Sequence, residues 1–432
     1  MQFGLTGHGV PSTVVPHMGT SGERVRFCVI ADDITGAMDT GVGLAQAGLA
    51  ATITFSSSTN PGSDAVVATT DSRAESPSEA YRRVKAVGEL FHDYYIYKKI
   101  DSTLRGNIAA ELQALLDVTR ASKTVVCPAF PSIKRTVVNG ELLVEGVPVH
   151  LTSFSRDPVS PVTRSSVVDL LRSGSGIAAE GLGLADVKRG PEHLVQRIRE
   201  CASRAVVIDA TEDEHLRCIA DALFLSREKG WLPCGSGGLG AQLPLAFGFS
   251  PHGRGLPPAP RGRALIAVGS RNEVSIQQVH RLIERLHPPV VQVEPREFKI
   301  RRGREPRINQ VAREVQNLLL DSEVVVLSSS LNDYVPQYRH LMAHILGDIV
   351  TRVLSLCDIT GLFLCGGDVA RTVCGEQRIQ ALRILGELQP GVIAAEAVGQ
   401  HYEGLRVVTK AGGFGNKDAL LQVARHFAGG QG

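Results

Sequence analysis

The feature that most constrains this chain is an alternation of short β-branched runs with amphipathic helical stretches, begun near Arg26 and begun again at Ala264. RFCVIA, LAATITFS, DAVVATT, YYIYKK, KTVVCPAF and RAVVIDA are apolar runs of strand length, and patterns such as SEAYRRVKAVGELF, NIAAELQALL and EDEHLRCIADALFL read as helices. Strands that alternate with helices pair in parallel through right-handed crossovers, so their carboxyl ends emerge on one edge of the sheet. Ligands of open parallel sheets bind at that edge. The expected class is α/β, with two α/β domains whose sheets are mainly parallel.

The alternation breaks once. Residues 250–263, SPHGRGLPPAPRGR, carry Pro, Gly and Arg without periodicity and read as a linker. This divides the chain into domains at 25–249 and 264–432, a division that suits its 432 residues. Residues 1–24 are rich in Gly, Ser, Thr and Pro, lack an apolar signal-peptide core and are expected to form a loose extension. Within the first domain, TVV-NG-ELLV reads as a hairpin turning at Asn139-Gly140. Residues 173–190 show little pattern, and the basic run from Lys299 to Arg307 reads as a solvated loop.

Three successive strand ends in the first domain are polar. The first ends in Asp32-Asp33-Ile34-Thr35-Gly36, the next in Asp71-Ser72-Arg73, and the third in YKKIDSTLRGN, residues 97–107. Adjacent carboxylates repel, so Asp32 and Asp33 require a cation or a donor cluster nearby. Lys98, Lys99 and Arg105 suit a carboxylate or phosphate, Asp101 suits a proton acceptor, and Ser102 and Thr103 suit hydroxyls. Equally, Asp101 or Ser102 could simply cap the helix that follows, with the cations on the surface. Lys134, Arg135 and Thr136 follow the fourth strand and are placed to approach the same edge. Converging on one edge, these residues describe a site for a polar ligand. In that site Arg73 and Lys99 would hold a carboxylate, Asp101 would accept a proton, and Asp32 and Asp33 would face hydroxyls or a Mg²⁺ shell.

The second domain offers glycine instead of charge. Gly269-Ser270, Gly366-Gly367-Asp368 and Ala411-Gly412-Gly413-Phe414-Gly415 each join a strand to a helix. Glycine lets backbone N–H groups approach an anion, and a helix N-terminus adds a favourable dipole, so three such turns suggest a phosphate cradle. No Walker G-x-x-x-x-G-K-[ST] or H-R-D loop occurs, which removes P-loop and protein-kinase readings; no zinc spacing such as H-E-x-x-H appears, and the absence of G-x-S-x-G weakens a hydrolase reading. Gly235, Gly237 and Gly240 match G-x-G-x-x-G, the basis of an alternative NAD(P)-dependent oxidoreductase. Pro244 disturbs the helix that should follow, and no Asp or Glu lies between Gly240 and Glu273 to hold a ribose. A non-catalytic binding protein on the same fold is the third reading.

A net charge of +2 gives no field that would select nucleic acid, and no apolar run reaches the roughly 18 residues of a membrane span. The eight cysteines form no C-x-x-C pair and lie mostly in apolar runs, as expected for reduced thiols of a cytoplasmic protein.

The segments ADDITGAMDTG, TTDSR, YKKIDSTLRGN, PAFPSIKRT, GGDVAR and TKAGGFG, in this order, resemble the four-carbon acid sugar kinases, and the resemblance runs from Phe27 to Phe427. It implies a non-P-loop kinase with an N-terminal acid-sugar domain and a C-terminal ATP domain, acting on threonate, erythronate or 3-oxo-tetronate. It also implies that Asp32, Arg73, Lys99, Ile100, Asp101 and Ser102 contact the acid sugar. Ser270, Gly366, Gly367, Asp368, Val369 and Gly413 would contact ATP, with Gly412 beside them and Mg²⁺ bridging its phosphates. Arg271-Asn272-Glu273 and Val369 depart from the family pattern. Small-molecule substrates are the partners expected, with no nucleic acid or membrane, and a homodimer is left open.

Overall fold

The computed structural model describes residues 25–55, 61, 63–157, 159–251, 255–298, 301–329, 331, 339–375, 379–399 and 401–429. The expected extension at 1–24 lies outside them. The first half contributes β1 (Phe27–Ala31), β2 (Ala51–Thr54), β3 (Ala65–Thr69), β4 (Tyr95–Lys99) and β5 (Thr124–Cys127). A hairpin insertion, β6 (Arg135–Val138), β7 (Glu141–Val144) and β8 (Val147–Pro148), precedes β9 (Ala179–Leu182), β10 (Ala205–Ile208) and β11 (Leu232–Gly235). The second half adds β12 (Ala264–Val268), β13 (Val290–Gln292), β14 (Val324–Ser328), β15 (Gly361–Cys365), β16 (Ala381–Gln389), β17 (Val392–Val398) and β18 (Arg406–Lys410).

Fifteen of these strands form one hydrogen-bonded sheet, ordered β13-β14-β12-β15-β18-β17-β16-β2-β3-β1-β4-β11-β5-β10-β9. Pairing is parallel except where β16 and β17 intervene, antiparallel to each other, to β18 and to β2. Strands such as β1, β5, β12 and β15 are buried at every residue, which explains why they read as unbroken apolar runs rather than alternating ones.

The β16–β17 hairpin is the element that joins the halves. Register shifts at Ile384/Gly386 and Glu387/Gln389 bend it, with Gly386 at φ 149°, a conformation open to glycine. Its ALRILGELQ and VIAAEAV segments flank Pro390-Gly391, the turn between them, with Gly391 at φ 76°.

A second difference concerns the basic run. From Arg301 onward it is not a loop but the start of a helix, Arg301–Asp321, while residues 299–300 lie outside the described residues. Ile308, Val311, Ala312, Val315 and Leu319 fall on one stripe and are all buried, which is the helical signal the charges obscured. The linker is also less free than its composition suggests. Arg406 is buried and donates to the carbonyls of Pro257 (3.0 Å) and Pro258 (3.2 Å), and Ala259 is buried.

The hairpin reading holds in detail. Asn139 and Gly140 both take positive φ (53° and 73°), the I′-type turn of a tight hairpin, and the carboxylate of Asp209 accepts from both amides at 2.7 and 2.9 Å. The Gly235–Gly240 stretch is a packing turn. A Cβ at Gly235 would overlap the carbonyl oxygen of Cys127, and Tyr97 donates its hydroxyl to the carbonyl of Ser236 at 2.5 Å. The space a dinucleotide's pyrophosphate would need is filled by protein. All eight cysteines are free, and burial pushes Cys127, Cys234 and Cys374 up to about 12, far from a reactive thiolate.

Candidate active site

β3, β1 and β4 are adjacent, and their register sets Thr69, Ala31 and Lys99 level with one another, so the three polar strand ends emerge together. Asp33 follows β1 in extended conformation (φ −145°) and caps helix Ile34–Gln46, its Oδ1 accepting from the Gly36 amide at 2.8 Å. Asp71 takes φ 48°, turning the chain after β3 so that Arg73 points back to β1. The backbone carbonyl of Asp32 pins that turn by accepting from the amides of Ser72 (3.0 Å) and Arg73 (3.3 Å).

Arg73 is the cation that the adjacent carboxylates require. Its Nε donates to Asp32 Oδ2 at 2.7 Å, its Nη1 lies 2.8 Å from Asp33 Oδ2, and its Nη2 lies 3.5 Å from Asp101 Oδ1. The three carboxylates respond differently. Burial opposes ionisation of Asp32, but Arg73, with Lys98 and Lys99 behind it, outweighs burial and holds that carboxyl below its usual range. Asp101 is also held below its usual range: burial is overcome by Arg73 and by Arg105, whose Nε and Nη2 donate to it at 3.0 and 3.1 Å, and the hydroxyl and amide of Thr103 add two more bonds. Asp33 moves the other way, because burial together with Asp32 and Asp101 exceeds the pull of Arg73.

Beneath this layer Lys98 is fully buried against Glu111 at 2.8 Å, and Ser72 donates to the same carboxylate at 2.5 Å. Lys98 therefore braces β1 and β4 from behind, donating also to the carbonyls of Ile30 and Lys99. Ile100 is buried in the core and presents only backbone, its amide donating to the carbonyl of Gly235 at 2.8 Å. Lys99 differs from Lys98. It is 5 % exposed, its Nζ stands 2.7 Å from where a Cβ on Gly36 would be, and no described carboxylate lies within ion-pair distance.

Several neighbours carry no mark in the sequence. Asp157 lies 3.2 Å from Arg105, and Phe154 lies under Arg105 and Arg135 with each guanidinium 5.6 Å from the ring centroid. Both come from the segment after the hairpin, where no motif singles them out. Asp39 stands one helical turn beyond Gly36 and against Gly237, a spacing of three that was available in ADDITGAMDTG.

In the second half the three glycine turns meet. A Cβ on Gly412 would overlap Ser270 Oγ, and the Cβ position of Gly366 lies 3.6 Å from the Ser270 amide. Gly366 itself takes φ 112°. Gly413 is open, its nearest neighbour the Asn272 side chain at 3.5 Å. Asn272 caps helix Glu273–Leu286 by accepting from the Val274 amide, so the unexpected Arg271-Asn272-Glu273 serves the helix start. Val369 is buried beside Gly269, which leaves only its backbone for a ligand. Lys410, also buried, donates to Ser275 Oγ and the Gly412 carbonyl, both at 3.0 Å, and fixes the third turn from below.

The two clusters face each other. The Cβ position of Gly367, at the start of helix Gly367–Gly375, lies 3.1 Å from Thr35 Oγ1, so this helix begins against the first turn of helix Ile34–Gln46. One turn later Arg371 donates to Asp71 at 2.8 Å. Two helix N-termini, each attractive to anions, therefore converge beside Asp33 and Lys99. Among the described residues no group of His, Cys, Asp or Glu is arranged to hold a metal, because Arg73 occupies the centre of the aspartate cluster. No described helix is long and apolar enough to cross a membrane.

Two family models match the chain. Residues 27–243 match a sugar-binding N-terminal domain and residues 265–420 a nucleotide-binding C-terminal domain. Among curated relatives, the D-threonate kinase of Salmonella typhimurium is 31% identical, the match covering 94% of this chain and 100% of that protein. The D-erythronate kinase of Heliobacterium modesticaldum is 31% identical over 90% of this chain and 94% of its own. The 3-oxo-tetronate kinase of Pseudomonas fluorescens is 27% identical over 96% of this chain and 100% of its own. A crystal structure of a Haemophilus influenzae protein superposes with a TM-score of 0.74 at 24% identity, covering 93% of this chain and 100% of that one, and supports the fold.

Proposed function

The chain belongs to the four-carbon acid sugar kinase family and is thereby a small-molecule kinase, and we propose that it transfers the γ-phosphoryl group of ATP to the terminal hydroxyl of a four-carbon acid sugar. The observation that carries this reading is the abutment of Gly367 on Thr35. It brings the glycine cradle and the aspartate–arginine cluster to one shared edge, the geometry that direct transfer between two bound small molecules requires. In this reading residues 25–249 bind the acid sugar and residues 264–432 the nucleotide.

The nucleotide's phosphates would lie along Ser270, Gly366, Gly367, Asp368, the Val369 backbone, Gly412 and Gly413. The fit rests on the open Cα of Gly413, where a side chain would fill the cradle, and on Gly412, whose lack of a side chain lets the third turn close on Ser270. Mg²⁺ would supply charge neutralisation on those phosphates, as it does where phosphates rather than a protein cage provide most of its ligands.

On the acid-sugar side, Asp32, Lys99, Ser102 and the Ile100 backbone would line the substrate, and Arg105 would hold Asp101 in place. Of the catalytic candidates Asp32, Asp33 and Asp101, Asp33 suits the proton acceptor best. It stands beside Thr35, where the phosphoryl group would arrive, and it is the one of the three whose pKa is raised. Asp101 is saturated with donors and is a weaker base. Arg73, shared among three carboxylates, would organise the acids more than it would grip the substrate.

A coupled assay for ADP release tests the proposal across D-threonate, D-erythronate and 3-oxo-tetronate, each at several concentrations. Acid-dependent ADP release with saturation supports it. ATP turnover that ignores every acid would refute it.

A further inference from the structure

Four cations reach the acid-sugar cluster, and they are not equivalent. Arg73 is matched by Asp32, Asp33 and Asp101, and Arg105 by Asp101 and Asp157. Lys99 and Arg135 form no ion pair among the described residues. Arg135 donates from Nη1 to Ser102 Oγ and lies over Phe154, and its guanidinium has no other described partner.

The backbone that carries Arg135 is rigidly held. The Phe130 amide donates to the Arg135 carbonyl at 2.7 Å and the Arg135 amide to the Phe130 carbonyl at 3.1 Å, closing a tight loop in which Lys134 takes φ 57°. The far end of the same hairpin is clamped by Asp209. Phe154, from the segment that follows, supports the flat face of the guanidinium while Ser102 takes one edge. Burial lowers the Arg135 pKa even though Asp101 and Asp39 pull it up, so the charge is incompletely compensated. A guanidinium stays charged under these conditions and presents a planar fork of donors, a match for a carboxylate.

We propose that Arg135 is the receptor for the substrate's carboxylate, which makes the hairpin insertion the element that selects acids over neutral polyols. This rests on the kinase reading above and gives its substrate a direction. Arg135 touches Ser102, whereas Gly367 abuts Thr35, so the carboxylate sits at Arg135 and the terminal hydroxyl points to Asp33 and Thr35. Lys99, between the two ends, completes the anion's surroundings. The flat apolar ring of Phe154 holds the guanidinium in plane without competing for its charge.

The test compares wild type with Arg135→Gln and Arg135→Ala, using D-threonate and D-erythronate as acids and D-threitol and erythritol as their neutral counterparts. Wild-type turnover of at least one acid is established first, and its absence would count against the kinase reading rather than against Arg135. Loss of one charge-assisted contact predicts a rise of about ten- to a hundredfold in the KM for the acid. The KM for ATP, the weak affinity for the neutral polyol and the melting temperature should stay close to wild type. Millimolar guanidinium ion should restore part of the acid turnover of Arg135→Ala and none of that of wild type. An unchanged KM for the acid would overturn the proposal. So would an equal loss for acid, polyol and ATP with a lowered melting temperature, which would make Arg135 a structural tie between Ser102 and Phe154.

Discussion

Gly412→Ala probes the meeting of the glycine turns with a single methyl group. Gly412 is not in the left-handed region, so the alanine backbone is permitted, and the whole effect comes from the collision of the added Cβ with Ser270 Oγ, well inside contact distance, and with the Asn272 Cβ at 3.0 Å. The Ser270 hydroxyl must rotate away, which breaks its bond from the Asn272 amide (3.3 Å), or the third turn must shift against Lys410 and Ser275, which hold its carbonyl at 3.0 and 2.6 Å. Overpacking of this kind costs about 1–3 kcal/mol. Expressed on nucleotide binding, that is about a 5- to 150-fold loss of affinity. The assay is titration of ATP into wild type, Gly412→Ala, Ser270→Gly and the double variant. If the turns touch as described, the double variant binds ATP better than the two single losses summed, because Ser270→Gly removes the atom that the added methyl group strikes. Strictly additive losses, or an ATP affinity unchanged in Gly412→Ala, would show that these turns do not form one cradle.

Three further outcomes follow from the acid-sugar half and the helix behind the linker. Glu111→Gln should destabilise the protein by about 3–5 kcal/mol in urea unfolding, because Lys98 is left fully buried without its counter-charge; a loss under about 1 kcal/mol would mean that Lys98 finds another partner. Asp33→Asn should lower kcat by at least about a hundredfold while leaving acid binding nearly intact, with Asp101→Asn milder in kcat and more harmful to stability; the reverse order would return the acceptor role to Asp101. His426, buried beside Arg406, is pushed down to about 4. The unfolded chain takes up its proton near 6.5 and the folded chain only near 4, so stability should fall as pH drops through that window, and His426→Gln should flatten the melting profile there.

Much of the fold was legible because buried parallel strands read as apolar runs, and those runs end where the site is. Asp32, Asp33, Arg73, Lys99 and Asp101 each closely follow or end such a run, so chain order alone pointed to their convergence. The partnership inside the cluster was not legible. Lys98 and Lys99 are neighbours in sequence, yet strand alternation sends one beneath the sheet to Glu111 and the other to Gly36, and only the structure shows which is which. The ion pairs of Arg73 were hidden because its three carboxylates lie after other strands. The β16–β17 hairpin escaped notice because its bent strands carry mixed residues, and it joins the two halves through a short pairing with β2. Phe154 and Asp157 come from an irregular segment whose role depends wholly on where the hairpin places it.

The central claim, phosphoryl transfer to the terminal hydroxyl, is tested most directly by ³¹P and ¹H–¹³C NMR of a single reaction mixture containing the protein, Mg²⁺, ATP and the acid that gives the fastest ADP release. Such transfer gives stoichiometric loss of the ATP γ-resonance and a new phosphate monoester whose phosphorus couples to the carbon farthest from the carboxylate. Free inorganic phosphate as the only product, or a phosphate attached at the carboxyl end, would contradict it.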